Sequence, residues 1–210
     1  MAAAPRITAL DPDPRRPEAV RLEVDGMRFG AIPRELAARE GLAVGRELDP
    51  DLQDRLSTAA DIEAAFRTVL RSLEVRAYAR SDLGRRLQRK GHRRSAVEAA
   101  LTRAADLGLL DDAAFARGYV ETRASRGRGP SRLSRDLLAM GVERSVIDRA
   151  LAAHWPEGSD RATVPLALAQ KRAAQLGTLP RNTKRRRLLA FLARRGFTGR
   201  EVLDLVDRVV

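Results

Sequence analysis

The chain has no cysteine and only two histidines, His92 and His154. That removes disulfides, thiolate nucleophiles and cysteine-type zinc sites together, and it leaves almost nothing for metal or triad chemistry. Aromatic residues make up 4% of the 210 positions, too few for the stacking platforms on which single-strand binders lay out bases. No run of 18 apolar residues occurs, as a membrane-spanning helix would need, and the start from Met1 to Ala4 lacks the charged and long apolar regions of a secretory signal. These absences predict a cytoplasmic protein with no membrane partner, no cofactor and no metal.

What is present is apolar residue content of 44%, enough for a real core, and a net charge of +12 from 40 basic and 28 acidic residues. The charge is unevenly placed: residues 1–58 carry −2, 59–108 carry +5, 109–158 carry +1 and 159–210 carry +8. Such a field draws polyanions, whether nucleic acid or an acidic protein surface, and charge alone does not separate the two. Arginine supplies 37 of the 40 cations, a bias that a GC-rich genome also produces, so only clusters point to function.

The chain also repeats itself. Residues 81–101 and 131–151 align without a gap at an offset of 50, with 9 of 21 pairs identical, among them Leu83/Leu133, Leu87/Leu137, Gly91/Gly141 and Ser95/Ser145. A worn third copy places Leu188, Leu192, Gly196, Val202 and Val206 55 residues after their partners in the second. A period near 50 marks a supersecondary unit that buries its apolar face partly against its neighbours, which favours function spread along an array over one catalytic pocket.

Residues 1–58 have a different texture. Val20, Leu22 and Val24 alternate with polar residues, Asp25-Gly26 is a hairpin turn, and Met27, Phe29 and Ala31 alternate beyond it. Ile7 to Leu10 adds a third strand, with DPDPRRP as an exposed loop, and two short helices follow, one around PRELAARE and one after Asp49-Pro50. From about residue 60 the period becomes helical: Ile62, Phe66, Val69, Leu70 and Leu73 form one stripe, Leu83 and Leu87 a second, and Val97, Leu101 and Leu107 a third. Gly91, Gly141 and Gly196 suit the left-handed residue after the second helix of each unit, while Ser95/Glu98, Ser145/Asp148 and Thr198/Glu201 have the spacing of capping pairs for the third. The predicted fold is mainly α: a tandem array of three three-helix repeats at 59–108, 109–158 and 159–210, behind a small N-terminal β-hairpin with short helices at 1–58.

Between the first two copies runs GLLDDAAFARGYVETRASRGRGP, with Asp111 and Asp112 placed to cap the helix carrying Phe115 and Tyr119, and Pro130 placed to open the next. With the Leu-rich helix after it, this motif closely resembles the signature of the RecX family, the bacterial regulators of the RecA recombinase. His92 and Met140 depart from the family pattern, which usually has an aromatic and a Lys there. The resemblance covers residues 60–155 well and 160–210 more loosely. It implies an elongated, curved array that lodges as a monomer in the helical groove of the RecA filament. There it restrains growth, ATP hydrolysis and strand exchange, in DNA repair, homologous recombination and the SOS response, with no enzyme activity of its own. The alternative reading is a sequence-independent binder of single- or double-stranded DNA gripping phosphates through basic ends.

The candidate contacts are therefore basic. Arg85/Arg89 and Arg86/Lys90 are i,i+4 pairs whose like charges repel unless an anion relieves them, and Arg89 and Lys90 recur in the third copy as Arg194 and Arg195. Lys184, Arg185, Arg186 and Arg187 form a basic run at a helix start, where cations oppose the helix dipole. Arg123, Arg126 and Arg128 flank the G-x-G-P loop and match the family motif. For each, a solvated face or a helix cap is the competing role.

Overall fold

The computed structural model describes residues 4–210. It is mainly helical with one three-stranded sheet, and it divides into two compact units, Met1–Tyr78 with Asp82–Leu110, and Ala79–Ser81 with Asp111–Val210.

In the first unit, β1 (Ile7–Asp13), β2 (Arg16–Val24) and β3 (Met27–Pro33) form an antiparallel meander. The Asp25-Gly26 turn is as expected: both residues take positive φ, 50° and 74°, the geometry whose twist matches paired strands, and it sets Val24 opposite Met27. DPDPRRP is not a loop. Both strands run through it to a tight turn at Pro14-Arg15, because the Asp13 carboxylate accepts the Arg15 N–H at 3.0 Å and pairs with Arg16 at 3.3 Å.

α1 (Arg34–Arg39) follows β3 directly, and α2 (Pro50–Val75) is the second correction. It is one continuous 26-residue helix in place of a short helix ending before residue 59. Asp49 caps it by accepting the Leu52 N–H at 2.8 Å, Pro50 suits its first position, and no glycine or proline interrupts residues 51–75. Its first half gives Leu52 and Leu56 to a core with Ile7, Leu22 and Ile32 of the sheet. Its second half gives Phe66 and Val69 to a second core with α3 (Arg80–Arg89) and α4 (Arg94–Asp106), against Leu83, Leu87, Val97 and Leu101. Leu107 falls outside that core and is exposed, because α4 ends at Asp106 and the chain leaves helical phase.

The second unit contains α5 (Asp112–Ala124), α6 (Pro130–Ala139), α7 (Arg144–His154), α8 (Thr163–Gln175), α9 (Arg181–Arg195) and α10 (Arg200–Val209). The repeat is visible as equivalent positions: Leu83/Leu87, Leu133/Leu137 and Leu188/Leu192 are fully buried on α3, α6 and α9. Gly91, Gly141 and Gly196 follow those helices at φ of 90°, 81° and 93°, where a Cβ is costly. The capping pairs fail, however. The capping positions of α4, α7 and α10 are Arg93, Glu143 and Gly199, and none of them supplies a side-chain cap. The Arg93 N–H is instead taken at 3.1 Å by Asp61 of α2, and Arg144 pairs with Asp148. No helix among the described residues is long and apolar enough to cross a membrane.

Candidate polyanion-binding surface

The segment with the longest motif is tied into its own unit. Asp111 opens α5 by accepting the N–H groups of Ala113 and Ala114 at 2.7 and 2.9 Å, and the Ala114 and Ala113 bonds hold its carboxyl below the ordinary aspartate range. Asp112 does a different job, accepting at 2.8 Å the N–H of Arg80, a residue of the same unit. On α6, Asp136 collects Arg128 at 2.8 Å, Arg132 at 2.9 Å and the Tyr119 hydroxyl at 3.3 Å. Burial, followed by the Asp136 charge, raises the Tyr119 phenol above its usual range. Phe115 and Tyr119 pack against the α5–α7 core, with ring centroids 6.1 Å apart, so they serve as packing residues.

The G-x-G-P loop is a backbone joint. The Gly129 N–H donates to the Arg195 carbonyl at 2.7 Å and the Ser131 N–H to the Gly196 carbonyl at 3.2 Å, so the start of α6 satisfies carbonyls left over at the end of α9. The Arg195 guanidinium reaches back to the Gly127 carbonyl at 3.3 Å, and the Ser131 and Thr198 hydroxyls meet at 3.1 Å. A Cβ on Gly129 would strike the Gly196 carbonyl, and one on Gly196 would strike Arg132. Two glycines are required here because the two backbones touch.

The candidate cations divide into two groups. Arg85 pairs with Asp82 at 3.4 Å, Arg128 with Asp136, and Arg185 with Asp207 at 2.5 Å. The Arg185–Asp207 bond raises the arginine's pKa and lowers the aspartate's. Arg86 lies 5.9 Å from the Tyr78 ring centre, Arg123 5.4 Å from that of Tyr119 and Arg195 5.1 Å from that of Phe191, each guanidinium set beside an aromatic ring. Those six already have work inside the fold. Arg89, Lys90, Arg126, Lys184, Arg186, Arg187 and Arg194 have no ion pair among the described residues, and all but Lys184 are exposed. On α9, Arg186 and Arg194 are eight residues apart, on the face away from the buried Leu188 and Leu192, with Arg187 beside them. This exposed face can take an extended row of negative charges.

Sequence reasoning missed Glu63. Buried on α2, it accepts Arg16 of β2 and Arg103 of α4, both at 2.6 Å, and so ties the sheet to the first helical repeat. A lone glutamate inside an otherwise apolar stripe, beside Ile62 and Phe66, was the available signal. No group of three or more potential metal-ligating side chains exists among the described residues.

Residues 111–151 match a family model described as RecX, second three-helix domain. Over 145 residues the chain is 36% identical to the regulatory protein RecX of Halorhodospira halophila, covering 67% of this chain and 84% of that one. Over 161 residues it is 32% identical to that of Mycolicibacterium smegmatis, covering 75% of this chain and 86% of that one. Among solved structures, a regulatory protein RecX superposes with a TM-score of 0.75 at 23% identity, covering 97% of this chain and 99% of that one. RecX from Lactobacillus salivarius superposes with a TM-score of 0.61 at 19% identity, covering 71% of this chain and 96% of that one. These two likenesses concern the fold.

Proposed function

Since this chain belongs to the RecX family of regulatory proteins, we propose that its target is the filament of the RecA recombinase on DNA, and that it acts by binding rather than by catalysis. It occupies the filament's helical groove, as a cytoplasmic monomer, and restrains ATP hydrolysis, growth and strand exchange. The observation that carries the reading on this chain is the unpaired basic set. Arg89 and Lys90 at the end of α3, Arg126 beside the joint, and Lys184, Arg186, Arg187 and Arg194 on α9 are free of internal ion pairs among the described residues. Charges left uncommitted in this way are available to an acidic protein surface or to phosphates. The six committed arginines, Arg85, Arg86, Arg123, Arg128, Arg185 and Arg195, support the scaffold that presents them.

The test is the single-strand-dependent ATPase of RecA with and without this protein at fixed salt. Stoichiometric protein is expected to lower the rate, and an unchanged rate at excess would sink the proposal. Reversing Lys184, Arg186 and Arg187 to Glu is expected to weaken that effect. Tight binding to bare DNA with a steep salt dependence, in the absence of any recombinase, would instead favour a direct DNA-binding function.

A further inference from the structure

A second basic site lies in the first unit, built from none of the candidate cations named above. Between the sheet and α2 is a pocket of about 440 Å³ lined by Arg16, Arg28, Gly30, Ala60, Asp61 and Arg67. β3 can lie close enough to α2 to form it only because residue 30 is glycine, since a Cβ there would collide with that of Ala60.

Each acid around this pocket already has partners elsewhere. Asp13 accepts the Arg15 N–H with one oxygen and Arg16 with the other, at 3.0 and 3.3 Å. Glu63 holds Arg16 and Arg103 with its two oxygens. Asp61, the acid in the lining, faces the turn before α4: Oδ1 meets His92 Nδ1 at 2.9 Å and Oδ2 accepts the Arg93 N–H at 3.1 Å. Each of these six oxygens already has a donor. Arg28 and Arg67 are left with no carboxylate partner among the described residues, and the Nε of Arg67 is buried with no hydrogen-bond partner. Burial, and then the like charges of Arg16, Arg71 and Arg28, push the Arg67 guanidinium below its ordinary range.

Two arginines without a carboxylate partner line this cavity, and one of them, Arg67, also has a buried donor without an acceptor; that concentration of unmatched positive charge suits an anion. One carboxylate offers two oxygens in a plane, which matches a single guanidinium fork. Arg28 and Arg67 come from different elements, a strand and a helix, and a group whose oxygens radiate in several directions serves both. We propose that this pocket binds a phosphate group between the guanidinium groups of Arg28 and Arg67. The phosphate comes either from a free phosphate or phosphomonoester, or from the backbone of a nucleic-acid strand. The site stands whether or not the chain acts on a recombinase.

The test follows thermal unfolding of the full chain in sodium phosphate against sodium chloride at equal ionic strength. The native midpoint is expected to rise with phosphate and to saturate. Arg67→Gln is expected to lose the rise, and Arg28→Gln to weaken apparent phosphate affinity by about tenfold or more. The Arg28 side chain is exposed and makes no hydrogen bond among the described residues, so its variant keeps the fold and decides the matter if Arg67→Gln does not fold. The variants also subtract any general salting effect. No saturable rise, or an equal rise in Arg28→Gln, overturns the proposal. A short single-stranded oligonucleotide separates the sources. If it abolishes the phosphate-dependent rise and binds Arg28→Gln more weakly, the group belongs to a strand. If it leaves a variant-sensitive rise unchanged, the ligand is a free phosphate or phosphomonoester.

Discussion

Beyond its apolar cores, each unit has one close joint between its parts, and the two joints are built by opposite means. In the first, the Glu63 side chain on α2 holds Arg16 of the sheet and Arg103 of α4, a charge lock with the acid only 2% exposed. In the second, the start of α6 and the end of α9 meet through backbone, and the side chains that would interfere are absent at Gly129 and Gly196. A charge lock tolerates some movement of long side chains but fails when one member is lost, because the others are left buried without compensation. A glycine joint carries no charge to lose and no tolerance for an added methyl.

The largest effect should come from breaking the lock. Glu63→Ala leaves Arg16, whose side chain is 11% exposed, with Asp13 as its remaining partner, and a loss of about 3–5 kcal/mol is expected. Urea unfolding followed by far-ultraviolet circular dichroism measures it. A loss below about 1 kcal/mol would mean that the apolar contacts of α2 hold the unit without the lock. Gly196→Ala should follow at about 2–4 kcal/mol, combining the left-handed backbone with the collision against Arg132. Gly91→Ala is its control. It has nearly the same φ, 90° against 93°, but open space around the new methyl, so about 1–2 kcal/mol is expected. Equal losses at the two glycines would show that conformation alone, not the joint, makes Gly196 necessary.

The same contrast explains what could be read from the sequence. The helical repeat was legible because burial of Leu83, Leu133 and Leu188 is a local property of each helix, enforced by spacing within one element. The glycines after α3, α6 and α9 were legible for the same reason, since left-handed φ leaves a residue-type signature. The joint was not, because nothing local to Gly129 shows that it faces a carbonyl 67 residues further on. Capping pairs read from spacing failed where a distant group took over the duty, as Asp61 does for Arg93. Of the candidate cations, the sequence could identify clusters but not occupancy: Arg186 and Arg185 are adjacent and alike, yet only Arg185 meets Asp207.

That distinction gives a smaller and sharper test inside the second unit. Arg128 pairs with Asp136 across a half-buried contact, while Arg126, two residues away, is exposed and has no ion pair among the described residues. Arg128→Ala is expected to cost about 0.5–1 kcal/mol in urea unfolding, and Arg126→Ala less than about 0.5 kcal/mol. The order should reverse in the RecA ATPase assay, where Arg126→Ala weakens the effect and Arg128→Ala, measured where it is fully folded, does not. Loss of effect only in the Arg128 variant would place the contact on the committed arginines.

Acid gives a further comparison of the two units, one aspartate in each. Asp13 is held below the ordinary aspartate value of 3.8, first by the Arg15 N–H and also by Arg16, and Asp111 is held below it by the N–H groups of Ala114 and Ala113. In both cases the fold favours the charged carboxylate, so the unfolded chain takes up the proton first. Each contribution is therefore complete above pH 3.8 and disappears as the pH falls through the lower folded value. Asn at position 111 keeps an oxygen for the two N–H groups but does not titrate, so Asp111→Asn should leave neutral stability nearly unchanged and flatten the acid decline. Trp155, the single tryptophan, packs against the α5–α7 core and reports that unit by its fluorescence. Asp13→Asn differs because Asp13 also serves Arg16, a member of the charge lock, so this variant should lose stability at neutral pH as well as the acid response. Urea midpoints measured by fluorescence and circular dichroism from pH 7 down to about 2.5 test both. If Asp111→Asn declines in acid as steeply as the parent, the cap does not titrate with the fold. If Asp13→Asn is unaffected at neutral pH, the lock does not extend to the turn between β1 and β2.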